Sequence, residues 1–327
     1  MYDIQSESTD ATYNLALEQY VFDELSREHS YLMLWQNANA VIVGRFQNAV
    51  AEINADYVRN RGVQVVRRLS GGGAVYHDMG NINYSIITDA KDGGFDFAFF
   101  CQPVIHVLQS LGVNAEISGR NDMTIEGMKF SGNSQYIRQG RVLHHGTILF
   151  DSDMQTLSKV LVVSGEKIES KGTKSIRSRV ANVRPYLKTD CDSGEFLKVL
   201  RVKMIEQLEA LPIPPGMIEI NKVKRLQEER YAAWRWNYGA SPAYNVSKRR
   251  RFEGVGEMEV RMDIEQGLIK EIIFFGDYFA SIDQEDLTAR LRGVCLNGPA
   301  ITDALRDVNI GAFFAHLEKE DFISLLT

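Results

Sequence analysis

The chain has 327 residues, 44% of them hydrophobic and 24% charged, with a formal net charge of −6. That length suits two domains rather than one core, the composition is that of an ordinary globular protein, and the acidic excess argues against general nucleic-acid binding. Cys101, Cys191 and Cys295 stand far apart with no CxxC pair, which offers neither a disulfide framework nor a zinc site and fits a reducing cytosol. All three read as buried packing residues. The first residues, Met-Tyr-Asp-Ile-Gln-Ser-Glu-Ser, have no basic and then apolar character, so no secretory signal is read there. No apolar run approaches the length that spans a bilayer.

In chain order, Asp10 caps a predicted helix in which Tyr13, Leu17, Val21 and Leu25 recur at helical spacing. Residues 31–35 and 40–43 are short apolar runs of strand type, 54–61 is a short capped helix, and 62–68 is a strand. That strand ends in Arg67 and Arg68 and leads through Leu69 and Ser70 into three glycines, Gly71–Gly73. Glycine takes positive φ and admits close backbone approach, so the triplet is either a tight turn or a set of amides aimed at an anion, with the arginines as charged donors beside it. In residues 81–88, Ile82, Tyr84 and Ile86 alternate with Asn83 and Ser85, which makes one strand face polar.

Residues 96–111 are helical, with Pro103 either kinking the helix or starting its second half. Strands follow, with hairpin turns at Glu126-Gly127 and Gln139-Gly140. Helices are read at 153–162, 193–210 and 222–236, the last after a break at Pro212, Pro214, Pro215 and Gly216. The basic run Lys248-Arg249-Arg250-Arg251 reads as a solvated linker, and past it come paired strands at 252–263 and 267–275 and short helices at 284–292 and 300–308. No GxxxxGK[ST] loop, GxGxxG turn, HExxH or GxSxG occurs. His144 and His145 are adjacent, so on a strand their side chains diverge and a metal site there is disfavoured.

Four segments carry a likeness. They are the glycine turn and the strand after it at 67–89, Gly119-Arg120-Asn121-Asp122 with Gly127–Ser134, Leu143–Asp151, and Lys171–Val180. With Trp35, Val43-Gly44-Arg45 and Trp234–Gly239, they make the chain resemble the lipoate–protein ligase family over most of residues 1–245. The resemblance implies an α+β protein: a mixed-sheet catalytic domain of biotin/lipoate ligase type (1–244), a linker (245–252) and a small α+β C-terminal accessory domain (253–327).

It also implies a reaction in two steps. Lipoate and Mg²⁺-bound ATP give lipoyl-AMP, and a lysine of an acceptor takes the lipoyl group; ligands for Mg²⁺ are not assigned. Acceptors implied are lipoyl domains of 2-oxo-acid dehydrogenase acyltransferase components and the glycine cleavage H protein. Lys129 is the catalytic residue by this likeness, following charge at the carboxylate–phosphate junction. Arg68 and Gly73, Ala74, Val75 and Tyr76 contact ATP, and Asn133 lies beside the adenylate. Trp35, Leu15 and Leu17 wall the acyl pocket. His145, beside a Gly146 that leaves room for a ligand, either lines that pocket or is a satisfied core residue; His77 either borders the pocket or closes the turn. Residues 164–180 read as a lid over the adenylate. The rival readings are a lipoyl or octanoyl transferase using a preformed donor, and a non-catalytic lipoate-binding protein.

Overall fold

The computed structural model describes residues 1–89, 95–119, 121–161, 180–238, 246–265, 267–280 and 282–327. Fourteen strands are present among these residues: β1 (Tyr2–Gln5), β2 (Tyr31–Trp35), β3 (Ala40–Val43), β4 (Gln64–Arg67), β5 (Val75–His77), β6 (Asn81–Asp89), β7 (Ala115–Ser118), β8 (Asp122–Ile125), β9 (Met128–Arg138), β10 (Arg141–Leu149), β11 (Leu211–Pro212), β12 (Val246–Phe252), β13 (Gly256–Glu265) and β14 (Leu268–Gly276). Eight form a mixed sheet in the order β11-β1-β2-β6-β10-β9-β8-β7, parallel at β11-β1-β2 and antiparallel beyond. A second sheet, β4-β3-β5, is parallel at β3-β4 and antiparallel at β3-β5. The third, β12-β13-β14, is antiparallel. This is the mixed-sheet α+β architecture expected from the sequence.

The first helix, Ala11–Glu24, starts where Asp10 accepts from Thr12 N–H. Its residues from Asn14 to Phe22 are all buried, so it brings Asn14 and Glu18 into the interior. Asp96 caps the helix Phe97–Ser110, which runs through Pro103 as one element. One face of that helix meets the large sheet through Phe100, Val104 and Leu108, against Met123, Phe130 and Ile148. The turns at Glu126-Gly127 and Gln139-Gly140 have positive φ at both residues, as two-residue hairpin turns between twisted strands require.

Two expectations change. Residues 246–252 are a strand rather than a linker: β12 pairs with β13 along its length, and its basic side chains find partners there, as Arg249 does in Glu257. Cys101 is buried, but Cys191 is half-buried and Cys295 is exposed, because Cys295 sits in the turn between the helices Glu285–Leu291 and Gly298–Ala304. The polar face of β6 does not meet water. Asn81, Asn83 and Ser85 are all buried, where they bond to neighbouring strands and to the first helix.

The C-terminal sheet has its own apolar core with the helices Glu285–Leu291, Gly298–Ala304 and Lys319–Leu326. It touches the N-terminal part at the glycine turn. Phe46 stacks on Tyr278 with ring centroids 4.9 Å apart, and Phe279 packs on Phe97 at 5.3 Å. The segment 164–179 of the expected lid, and Arg120, lie outside the described residues.

Candidate active site

A cavity of about 150 Å³, open to solvent, lies between the glycine turn and strands β9 and β10. Leu15, Trp35, Ile42, Val75 and His77 give it an apolar wall; Asn121, Lys129, Asn133 and Thr147 give it a polar one. Arg68, Gly72, Gly73, Ala74, Asn83, Gly132, Ser134, His145 and Gly146 complete the lining. Leu17 does not reach it and packs in the core beneath the first helix. Tyr76 does not line it either: it points to the opposite face of β5, its hydroxyl donating to Asn39.

Lys129 reaches the cavity because β9 is bulged. Thr124 pairs with Lys129 but Met123 pairs with Ser131, leaving Phe130 extra. A bulge interrupts the two-residue alternation of side chains. Phe130 goes into the core, and the Lys129 ammonium lies over Gly132, where an added Cβ would stand 3.1 Å from Nζ. Asp122 Oδ1 holds the ammonium at 2.7 Å, with both side chains partly exposed. Val180 lies alongside Lys129 in a bridge, and Ala181 N–H donates to its carbonyl.

The two arginines have different places in the fold. Arg67 is spent on structure: its guanidinium donates to the carbonyls of Gly44, Arg45, Gln47, Trp236 and Asn237. Arg68 lines the cavity but donates to Ser70 Oγ and to the carbonyls of Ile42, Gly71 and Gly73, so it shapes the turn from within. Burial pulls both guanidinium pKa values down to about 10, still charged at neutral pH.

The glycines answer mainly to backbone packing. A Cβ on Gly71 would lie 2.2 Å from the Tyr278 carbonyl oxygen, and one on Gly44 2.0 Å from that of Gly72. Gly72, with φ +86°, donates its N–H to Tyr278 at 3.1 Å. The amide expected to face an anion is thus held by the C-terminal part of the chain.

Two buried hydrogen-bond chains fix the polar side chains. In the first, His145 Nδ1–H donates to Glu18 at 2.9 Å. Arg68 Nε–H already donates to Ser70 Oγ, so the Ser70 proton is left to point at His145 Nε2, 2.6 Å away. Ser85 donates to Glu18 and accepts from Trp35 Nε1–H. The serine, histidine and glutamate are spaced like a hydrolytic triad, but Ser70 is buried and does not line the cavity, so it presents no nucleophile there. In the second, Gln135 Nε2–H donates to His144 Nδ1, His144 Nε2–H to Tyr84 Oη, and Tyr84 O–H to Asn133 Oδ1 at 2.5 Å. Asn133 Nδ2 donates to the Asn121 carbonyl and to Ser131 Oγ. Burial drives the His144 pKa well below its ordinary value, so it stays neutral.

Gly146 lines the cavity and also makes room for this second chain: a Cβ there would lie 2.0 Å from Asn133 Oδ1 and 2.5 Å from the Tyr84 ring. His144 and His145 diverge to the two faces of β10, as adjacent strand residues must. Glu18, Ser70, Asn121 and Asp122 escaped the sequence reading of the site. Glu18 follows Leu17 of the apolar stripe directly, and the helical spacing carries no sign that this carboxylate is buried. Among the described residues no three His, Cys, Asp or Glu side chains gather to hold a metal, and Asp122 is already paired with Lys129, so these residues offer no ligand set of their own for Mg²⁺.

A cavity with one apolar wall and one wall of amide, hydroxyl and ammonium donors suits a ligand that joins an apolar chain to an anion. Residues 10–205 match the lipoyl protein ligase A/B catalytic domain, and residues 241–326 match the bacterial lipoate protein ligase C-terminus. The chain is 40% identical over 321 residues to lipoate-protein ligase LplJ of Bacillus subtilis, covering 97% of each. It superposes on a lipoate-protein ligase A solved with bound ATP at a TM-score of 0.60 and 25% identity, covering 73% of this chain and 97% of that one. LipL1 of P. falciparum, solved in complex with lipoate, shares the fold at a TM-score of 0.74 and 23% identity, covering 99% and 97%. The chain belongs to the lipoate–protein ligase family. It is a two-part member, with the catalytic and C-terminal regions on one polypeptide.

Proposed function

We propose that the cavity binds lipoate and ATP together and makes lipoyl-AMP in it. The lipoate carboxylate oxygen attacks the α-phosphorus, the bond to the β-phosphate oxygen breaks, and pyrophosphate leaves. A lysine amine of a lipoyl-domain acceptor then attacks the acyl carbon, AMP departs, and the amine proton is lost to solvent as the amide forms. The observation that carries this reading is the bulge that turns Lys129 onto the cavity face over Gly132, across from the turn that Arg68 shapes. A compact ammonium there can follow negative charge from carboxylate to phosphate and stabilise it as it builds.

In this reading Leu15, Trp35 and Ile42 take the alkyl chain and its ring. Gly73, Ala74, Val75, Asn121 and Asn133 border the adenylate, and Arg68 keeps the turn in shape. ATP is proposed to bring its Mg²⁺ on its own phosphates. Transfer from a preformed donor through a cysteine is less favoured: no cysteine lines the cavity, and burial pushes the Cys101 thiol up to about 12, away from the reactive thiolate. The test is incubation of the purified chain with an isolated lipoyl domain, lipoate and ATP, read by intact mass. Addition of one lipoyl group only when both small molecules are present supports the proposal, and modification by a lipoyl carrier without ATP contradicts it.

A further inference from the structure

Of the buried side-chain nitrogens and oxygens that lack a hydrogen-bond partner among the described residues, His77 Nε2 is the one whose residue lines the cavity. Its protonation can be worked out from the neighbours. Asn14 Nδ2 meets three acceptors: the carbonyls of Ser8 and Gln36, and Asn37 Oδ1 at 3.0 Å. That fixes Asn37 with its oxygen toward Asn14 and its Nδ2 toward His77 Nδ1, 3.1 Å away. Nδ1 therefore accepts. Burial, with Arg68 and His145 nearby, pushes the ring's pKa down to about 3, so at neutral pH the imidazole has one proton, on Nε2. A buried donor is thus left over beside the apolar lining of Leu15, Trp35, Ile42 and Val75, where Asn83, Arg68 and His145 are the other polar side chains; Trp35 stands edge-on to the His77 ring at 6.3 Å.

Resting on the reading that this wall takes the acyl chain, we propose that His77 Nε2–H donates to a sulfur of the cyclic disulfide at the far end of lipoate, making His77 a specificity residue that favours lipoate over a plain fatty acid of the same length. Divalent sulfur is a weak acceptor, but a methyl group is none, and a site that holds a buried donor penalises the ligand that cannot use it. The Asn14–Asn37–His77 series is then a positioning device. It runs from the first helix to β5 and holds the ring in the tautomer that donates.

The test compares lipoate with octanoate in acid-dependent pyrophosphate exchange, for the wild type, His77→Phe and His77→Gln. The lipoate-to-octanoate ratio of kcat/KM is expected to fall about three- to tenfold in His77→Phe, as expected for one modest hydrogen bond, and to be partly restored in His77→Gln, whose amide can still donate. An unchanged ratio, or an equal loss for both acids, overturns the proposal, the latter by placing His77 at the shared carboxylate end. Should His77→Phe fail to fold, ¹⁵N NMR of the wild-type imidazole decides. The Nε2–H tautomer, with an Nε2–H resonance that moves with lipoate but not with octanoate, is the expected result; an Nδ1–H tautomer, or equal shifts with both acids, overturns it. If the wild type supports exchange with neither acid, it is the proposed function that fails, and the NMR comparison still judges His77.

Discussion

Replacing Lys129 by alanine separates chemistry from folding, because the two effects differ in size. The Lys129 and Asp122 side chains are 39% and 37% exposed, and ion pairs this open to solvent contribute about 0–1 kcal/mol. Lys129→Ala should therefore cost stability no more than about 1 kcal/mol, a shift of roughly 2 °C in Tm for a chain of this size. The rate of lipoyl-AMP formation should fall by about 10²–10³, roughly 3–4 kcal/mol of transition-state stabilisation, as expected when one preorganised donor is removed. Asp122→Asn keeps the ammonium and should lower the rate less than tenfold, since Asp122 positions Lys129 without touching the reacting groups. The assay is single-turnover lipoyl-AMP formation beside a melting curve. A Lys129→Ala rate within threefold of wild type would refute the placement of Lys129 at the reacting phosphate. A Tm drop of 8 °C or more would show that the side chain supports the fold instead.

Gly146→Ala should destabilise the chain by about 2–4 kcal/mol, since the new methyl overlaps Asn133 and Tyr84 and overpacking adds to a lost buried hydrogen bond; a stable variant with wild-type KM for ATP would contradict the Tyr84–Asn133 account. Gly71→Ala should loosen the contact between the glycine turn and Tyr278, read as faster hydrogen exchange at residues 276–280, and unchanged exchange there would count against it. His77 and His144 are held neutral in the fold, with pKa values about 3 and well below 6.5, while in the unfolded chain they take up protons near pH 6.5. Stability present above pH 6.5 is therefore lost as pH falls, by about 1.3 kcal/mol for each ring between pH 7 and 5.5. His144→Gln should recover roughly half of that acid loss, and a variant with the full loss would show that His144 is protonated in the fold.

Much of the fold was legible because its local signals agree. Strands β2 and β3, the cap at Asp10 and the helix starts read at 54, 96 and 153 stand within a residue of where the sequence reading put them. Strand β12 was misread because its lysine and arginines suggest solvent, whereas an edge strand can pair its backbone and still turn charged side chains outward. The likeness located the site but not its mechanics. The bulge that turns Lys129 inward leaves no mark in the residue alternation. The filling of the turn by Tyr278 depends on a contact between residues about 200 positions apart. Arg67 and Arg68 look equivalent in sequence, and only the carbonyls around them separate a structural role from a place in the cavity wall.

The most direct measurement is exchange of labelled pyrophosphate into ATP by the purified wild-type chain, with and without lipoate and with no acceptor protein present. The account predicts exchange that depends on lipoate and falls by about 10²–10³ in Lys129→Ala, because reversal of adenylate formation draws on carboxylate, phosphates and ammonium in one cavity. Wild-type exchange that is absent, or that proceeds equally without lipoate, would contradict the claim that this cavity makes lipoyl-AMP.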